Sequence, residues 1–396
     1  MRRLALLVAA VAVLAAASAV ALKEPASAPG VLRPLVRPSS PDPLRVRVDR
    51  ALASQSDALR RGDEAGFLAV AEPALHPDLK RRFATLRALG VVGWTAVALA
   101  DPSPVGDGRW RVDVRIGFCL VVEGCPPPAT TVPTVWTGSL RLAELGTATE
   151  FGPRPWEVAQ LVTAIGARVV IAAPPALARR LPAVLAAAER AAELSDRYAR
   201  WRPPPGRYLV HLAGAAEWQQ WYGGQQAWVA GVTMPLSTGH MEIMLNSARI
   251  DDGEVEGTLA HEFAHVTTLA GASFAGNWLL VEGLAEYVRA DGRPVSAYKW
   301  LGAGRRLVRS GRWGGTADLR EPAAGASIDD AAGRYAVAYL AVRRLAERFG
   351  EDRMLALFAA VVREATPLAQ AAPQVLGAGW PEVAADCDEY VRRSVS

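Results

Sequence analysis

The chain opens with Arg2 and Arg3 ahead of an uncharged apolar run from Leu4 to Leu22. That run is long enough to span a bilayer, yet it is rich in Ala. Ala17-Ser18-Ala19 and Ala19-Val20-Ala21 both fit small-residue cleavage sites. Residues 1–22 are therefore either a cleaved signal or an uncleaved N-terminal anchor. Residues 23–45 hold Pro25, Pro29, Pro34, Pro38, Pro41 and Pro43 and read as an extended linker. Beyond it the pattern becomes helical: Val48, Leu52 and Leu59 mark one face, Gly62 ends it, and Asp63 caps a second short helix. The period then changes to two. Trp110, Val112, Val114, Ile116 and Phe118 alternate with Arg111, Asp113 and Arg115. Trp136, Gly138, Leu140 and Leu142 alternate with Thr137, Ser139 and Arg141. Both runs predict half-buried strands of an antiparallel sheet.

From about residue 161 the pattern mixes both periods. Val169 to Ile171 predicts a short strand, Leu181 to Trp201 a helix halted by Pro203-Pro204-Pro205, and Arg207 to Leu212 a second strand. Met241, Ile243 and Leu245 alternate as a third. Leu259, Phe263, Val266 and Ala270 then recur at helical spacing, which gives that helix one buried side, and Gly271 is its stop. Trp218, Trp221, Tyr222 and Trp228 cluster around Gly223-Gly224 and read as core rather than as a groove. After residue 282 the pattern is mostly helical, with a helix opening at Arg334-Tyr335 and running to Phe349-Gly350. The expected class is α+β in two domains, 46–160 and 161–396, which suits a length of 396 residues.

Composition narrows this. With 51% hydrophobic and 21% charged residues the chain is globular. The net charge of +4 comes from dispersed Arg, with Lys only at 23, 80 and 299, so nucleic-acid binding has no footprint. Either reading of residues 1–22 leaves the arginines inside and Lys23 onward outside the cytoplasm, secreted or anchored through residues 4–22. In such a compartment Cys119 and Cys125, which flank a predicted hairpin ending in Pro126-Pro127-Pro128, are expected to pair, with Cys387 left as a buried free thiol.

The chemistry concentrates at His261-Glu262-Phe263-Ala264-His265. Four residues on a helix return to within about 40° of the same direction, so both imidazoles leave one face and suit zinc. Glu262 lies roughly 60° from His265 around the axis, beside that face, where it is placed to take a proton from an activated water. A catalytic zinc keeps three protein ligands and an open position. Glu282, behind the apolar run Leu279-Leu280-Val281, is the natural third, because a carboxylate in an apolar wall is costly unless it meets a cation.

The pair His261-Glu262-x-x-His265 and Trp278-Leu279-x-x-Glu282-Gly283-x-Ala285-x-Tyr287 resembles the gluzincin zinc metallopeptidases, the thermolysin and aminopeptidase clan, and especially its peptidase-MA-like branch. The resemblance implies a zincin-like catalytic domain over 161–396. Its zinc (Zn2+) ligands would be His261, His265 and Glu282, and its general base Glu262. It makes Glu286 a residue that orients a ligand histidine. Tyr335 becomes a donor to the tetrahedral intermediate, with Tyr339 second in line. The strand at Met241 to Leu245 would edge a cleft for a peptide or protein substrate. The spacing from His265 to Glu282 is slightly shorter than in the clan's best-known members, and the aminopeptidase Gly-x-Met-x-Asn motif is absent. Residues 46–160 resemble the nuclear-transport-factor-like fold, with a curved antiparallel sheet. His76, His211 and His240 are not read as ligands. Two alternatives stand beside the peptidase: a zinc-binding, non-catalytic cell-envelope scaffold, and a zinc hydrolase of a non-peptide amide.

Overall fold

The structure is a computed structural model that describes residues 43–121, 128–148, 152–224, 226–237, 240–272 and 276–396. The apolar N-terminal run, linker residues 23–42 and Cys125 lie outside the described residues. Among those described, no helix is long and apolar enough to cross a membrane. The chain divides into two compact units, Met1–Gln160 and Leu161–Ser396.

In the first unit, α1 (Pro43–Arg61) buries Val48, Leu52 and Leu59. Gly62, at φ 75°, ends it, and the Asp63 carboxylate accepts from the Gly66 amide to cap α2 (Glu64–Leu68). His76 is the first residue of α3 (His76–Ala88). An antiparallel sheet follows: β1 (Val91–Ala98), β2 (Ser103–Gly106), β3 (Arg109–Leu120), β4 (Ala129–Thr137) and β5 (Leu142–Leu145), in the order β1-β3-β4-β5 with β2 also on β3. β3 buries Val112, Val114, Ile116 and Phe118, as its alternation predicts. The run from Trp136 to Leu142 is not a strand. The chain reverses there, Leu140 takes φ 62°, and Trp136 pairs with Leu142 across β4 and β5. The apparent period of two arises because both ends of the turn are buried together. A short helix, α4 (Pro155–Val158), sets Trp156 edge-on against Trp94 and Phe118. Cys119 is disulfide-bonded.

The second unit is built on a five-stranded sheet. In chain order come β6 (Val162–Ile165), β7 (Val169–Ala173), α5 (Leu181–Asp196), β8 (Tyr208–Ala213), α6 (Ala215–Trp221), β9 (Gly231–Ser237) and β10 (His240–Asn246). The sheet order is β6-β7-β8-β10-β9, with β7, β8 and β10 parallel and the outer pairs antiparallel. The strand at Met241 to Leu245 is therefore interior, and β9 is the edge. Val232, Met234 and Leu236 alternate along it with Gly231, Thr233 and Pro235, and proline belongs on an edge because it has no ladder N–H to give. α5 stops at Asp196, short of Trp201, where the carboxylate accepts from Arg168 (2.7 Å) and the Tyr208 hydroxyl (2.6 Å).

Helices complete this unit: α7 (Val255–Leu269), α8 (Trp278–Ala290), α9 (Leu301–Arg309), α10 (Ile328–Phe349), α11 (Glu351–Phe358), α12 (Leu368–Leu376) and α13 (Trp380–Val395). Val210, Leu212, Met241, Ile243 and Leu245 of the sheet share one core with α5, α7 and α8. α10 begins at Ile328, where the Ser327 hydroxyl caps the Asp330 amide, so Tyr335 lies inside the helix and does not open it. Gly283 lets α8 lie against α10. A Cβ there would stand 2.5 Å from Val342 Cγ2 and 2.6 Å from the Ala338 carbonyl oxygen. Trp218 and Trp221 are core, whereas Tyr222 and Trp228 are half-buried. Cys387 is a buried free thiol.

Candidate metal centre

α7 carries His261 and His265 one turn apart. The helix does not split into a buried side and an open metal side. Leu259 and Phe263 are buried, and so are His261, Glu262 and His265. The two Nε2 atoms lie 3.1 Å apart with the rings nearly perpendicular at 88°. α8, capped by the Asn277 side chain on the Leu280 amide, brings Glu282 to the same point. Glu282 Oε2 is 3.1 Å from His261 Nε2 and 3.5 Å from His265 Nε2. Tetrahedral zinc with ligand bonds of about 2.0–2.1 Å spaces its ligand atoms about 3.3 Å apart, so these three donors fit that ion. They form the one such cluster among the described residues.

The electrostatics ask for a cation there. Burial opposes charge on His261, but Glu282 and Glu286 overcome it and raise its pKa to about 10. Burial likewise opposes charge on Glu282, and the two histidines still hold it well below the usual carboxylate range. Glu286 lies behind His261, with Oε1 2.8 Å from Nδ1. Its other oxygen accepts from the Tyr298 hydroxyl at 2.6 Å, and Arg289 approaches Oε1 at 3.3 Å while also pairing with Glu254 at 2.9 Å. A carboxylate on Nδ1 fixes the ring's orientation and leaves the Nε2 lone pair for a metal.

Glu262 is not among the three converging donors. Its Oε2 accepts from the Thr233 hydroxyl of β9 at 2.7 Å. Tyr335 places its ring 5.9 Å from that of His261, between Trp278 at 5.3 Å and Trp228 at 6.3 Å. Its hydroxyl has no hydrogen-bond partner among the described residues. Burial and the fields of Glu282, Glu286, Glu262 and Glu321 raise its pKa well above the ordinary value, so it stays a donor. Tyr339 is elsewhere, stacked on Tyr298 at 4.2 Å and accepting from Arg343 at 2.8 Å. His211 and His240 both meet the buried Glu242, at 3.1 and 3.2 Å, in a cluster of their own. Sequence reasoning misses Thr233 and Glu321. The carboxyl of Glu321 is raised by burial and by the charge of Glu282. Neither residue belongs to a local pattern that marks it.

Comparison with family models gives no match, and neither does comparison with curated proteins. Among solved structures the chain is similar to a mutant two-domain M1 zinc metallopeptidase bound to L-arginine, at 13% identity and TM-score 0.34 over 77% of this chain and 62% of that one. It is also similar to the M1 zinc metallopeptidase of Deinococcus radiodurans, at 12% identity and TM-score 0.34 over 76% of this chain and 60% of that one. The chain thus spans about three fifths of the length of either. At this similarity function is argued from the site itself.

Proposed function

We propose that the chain is an exported zinc metallopeptidase acting on peptide or protein substrates. The supporting observation is the convergence of His261, His265 and Glu282 with a buried carboxylate, Glu262, beside them and outside the donor set. A purely structural zinc site has no use for such a base. Zinc held by His261, His265 and Glu282 would supply a charge able to polarise the scissile carbonyl and lower the pKa of water from about 15.7 towards 7. Glu262 takes the proton of the attacking water and hands it to the leaving amine. Tyr335, with its proton retained and its hydroxyl unengaged, donates to the oxygen on which negative charge develops. Glu286 keeps His261 in register. The edge strand β9 offers its free side to an extended substrate backbone. Export rests on the apolar run 4–22, and a reporter joined after residue 45 is expected to appear outside the cytoplasm.

The decisive experiment measures zinc, melting temperature and hydrolysis of a mixed-sequence peptide library for wild type, Glu262→Gln and His265→Ala. Glu262→Gln should keep zinc and stability and lose at least ~10²-fold in hydrolysis, the usual size of general-base help. His265→Ala should lose the metal. A Glu262→Gln protein as fast as wild type refutes the mechanism. Zinc-loaded wild type that cleaves no peptide favours the scaffold or the hydrolase of a non-peptide amide.

A further inference from the structure

The edge strand β9 touches Glu262 twice, and the two contacts treat its oxygens differently. The Thr233 hydroxyl lies 2.7 Å from Oε2 and 3.0 Å from the Glu262 main-chain oxygen, sharing one proton between them. Two residues earlier, on the same side of the strand, Gly231 faces the other oxygen. A Cβ at Gly231 would stand 2.6 Å from Oε1 and 3.1 Å from the carboxylate carbon. Gly231 has no positive φ and no turn to make, so the bare Cα serves this close approach. Thr233 and Gly231 pair with Ile243 and Leu245, whose side chains face the core shared with α7, which is why their own positions look onto that helix.

We propose that Thr233 and Gly231 are positioning residues that divide the labour of the Glu262 oxygens: Thr233 anchors Oε2, and Oε1, in the space left by Gly231, is the oxygen that accepts and returns the proton. The assignment rests on the reading of Glu262 as general base. A carboxylate held through one oxygen keeps its side-chain torsions fixed through turnover while the other oxygen stays free of competing donors. Without the anchor the buried carboxylate spends part of its time in unproductive rotamers, which costs turnover more than substrate binding.

The test uses the full chain loaded with zinc and a fluorogenic peptide taken from library sequences that wild type cleaves. Thr233→Val, nearly isosteric but without the hydroxyl, should keep zinc and lose roughly 10–100-fold in kcat with KM little changed, the range for a hydrogen bond to a charged group. Thr233→Ser should recover most of that loss. Gly231→Ala should lose at least as much as Thr233→Val. In a Glu262→Gln background Thr233→Val should have little further effect on the residual rate, because residues acting through one another are not additive. A second readout needs no turnover: in metal-free protein, Thr233→Val combined with Glu262→Ala should melt above the additive expectation. If wild type cleaves peptides and Thr233→Val matches its kcat, the proposal is overturned and the peptidase reading survives. The proposal falls equally if Thr233→Ser is as poor as Thr233→Val, if the loss persists undiminished in the Glu262→Gln background, or if the melting temperatures are simply additive. Zinc-loaded wild type that cleaves nothing overturns both.

Discussion

Tyr335 is held by three rings and, among the described residues, by no hydrogen bond, while the hydroxyl of Tyr339, one turn on, accepts from Arg343. On the proposed mechanism the difference separates the donor from a packing residue. Tyr335→Phe should lower kcat about 10²–10³-fold with KM nearly unchanged, since its bond forms only as charge develops. Tyr339→Phe should leave kcat alone and lower the melting temperature. Glu286→Gln should weaken zinc binding roughly 10–100-fold, read by competition with a chelator. At this scale the sequence is informative where geometry is local. The spacing of His261 and His265 is a property of any helix, and a carboxylate behind Leu279-Leu280-Val281 advertises a cation. Thr233 is silent because its partner lies 29 positions away and is met only after the sheet has formed.

Among elements, the pairing of β8 with β10 buries a charge of its own. Glu242 is fully buried between His211 and His240. Burial opposes its ionisation, and the two histidines nevertheless hold it well below the usual carboxylate range. A depressed carboxylate stabilises the fold above the unfolded-chain pKa of about 4.3 and ceases to do so as the pH falls through the folded value. Glu242→Gln should therefore destabilise the fold at neutral pH, and the gap from wild type should narrow as the pH falls below about 4. Denaturant midpoints measured across that range check it. Elements with a clean period, such as β3, can be read directly. β9 carries the alternation Val232-Met234-Leu236, but periodicity does not tell which strand stands at the edge. The run at Trp136 misleads because a tight reversal buries both of its ends. The start of α10 is marked by Ser327 with Asp329 and Asp330 in the first turn, seven residues ahead of Tyr335.

At the scale of the whole molecule the two units carry different cysteine chemistry. In protein recovered from outside the cytoplasm, unreduced peptide mapping should find Cys119 joined to Cys125. Cys387 should resist alkylation until the chain unfolds, since it is buried and its thiol is pushed up to about 12. The α+β class and the change from sheet to helices along the second unit can be read from periodicity, whereas the mixed order β6-β7-β8-β10-β9 cannot, since strand neighbours are chosen by long-range docking. The converging His261, His265 and Glu282 escape that difficulty. All three come from two consecutive helices, between His261 and Glu282. Contacts so close along the chain close small loops and form early. Zinc bound there as proposed would clasp the helical pair before the distant strands have found their order, and supplied at the start of refolding it should quicken the approach to the native state as well as slow departure from it.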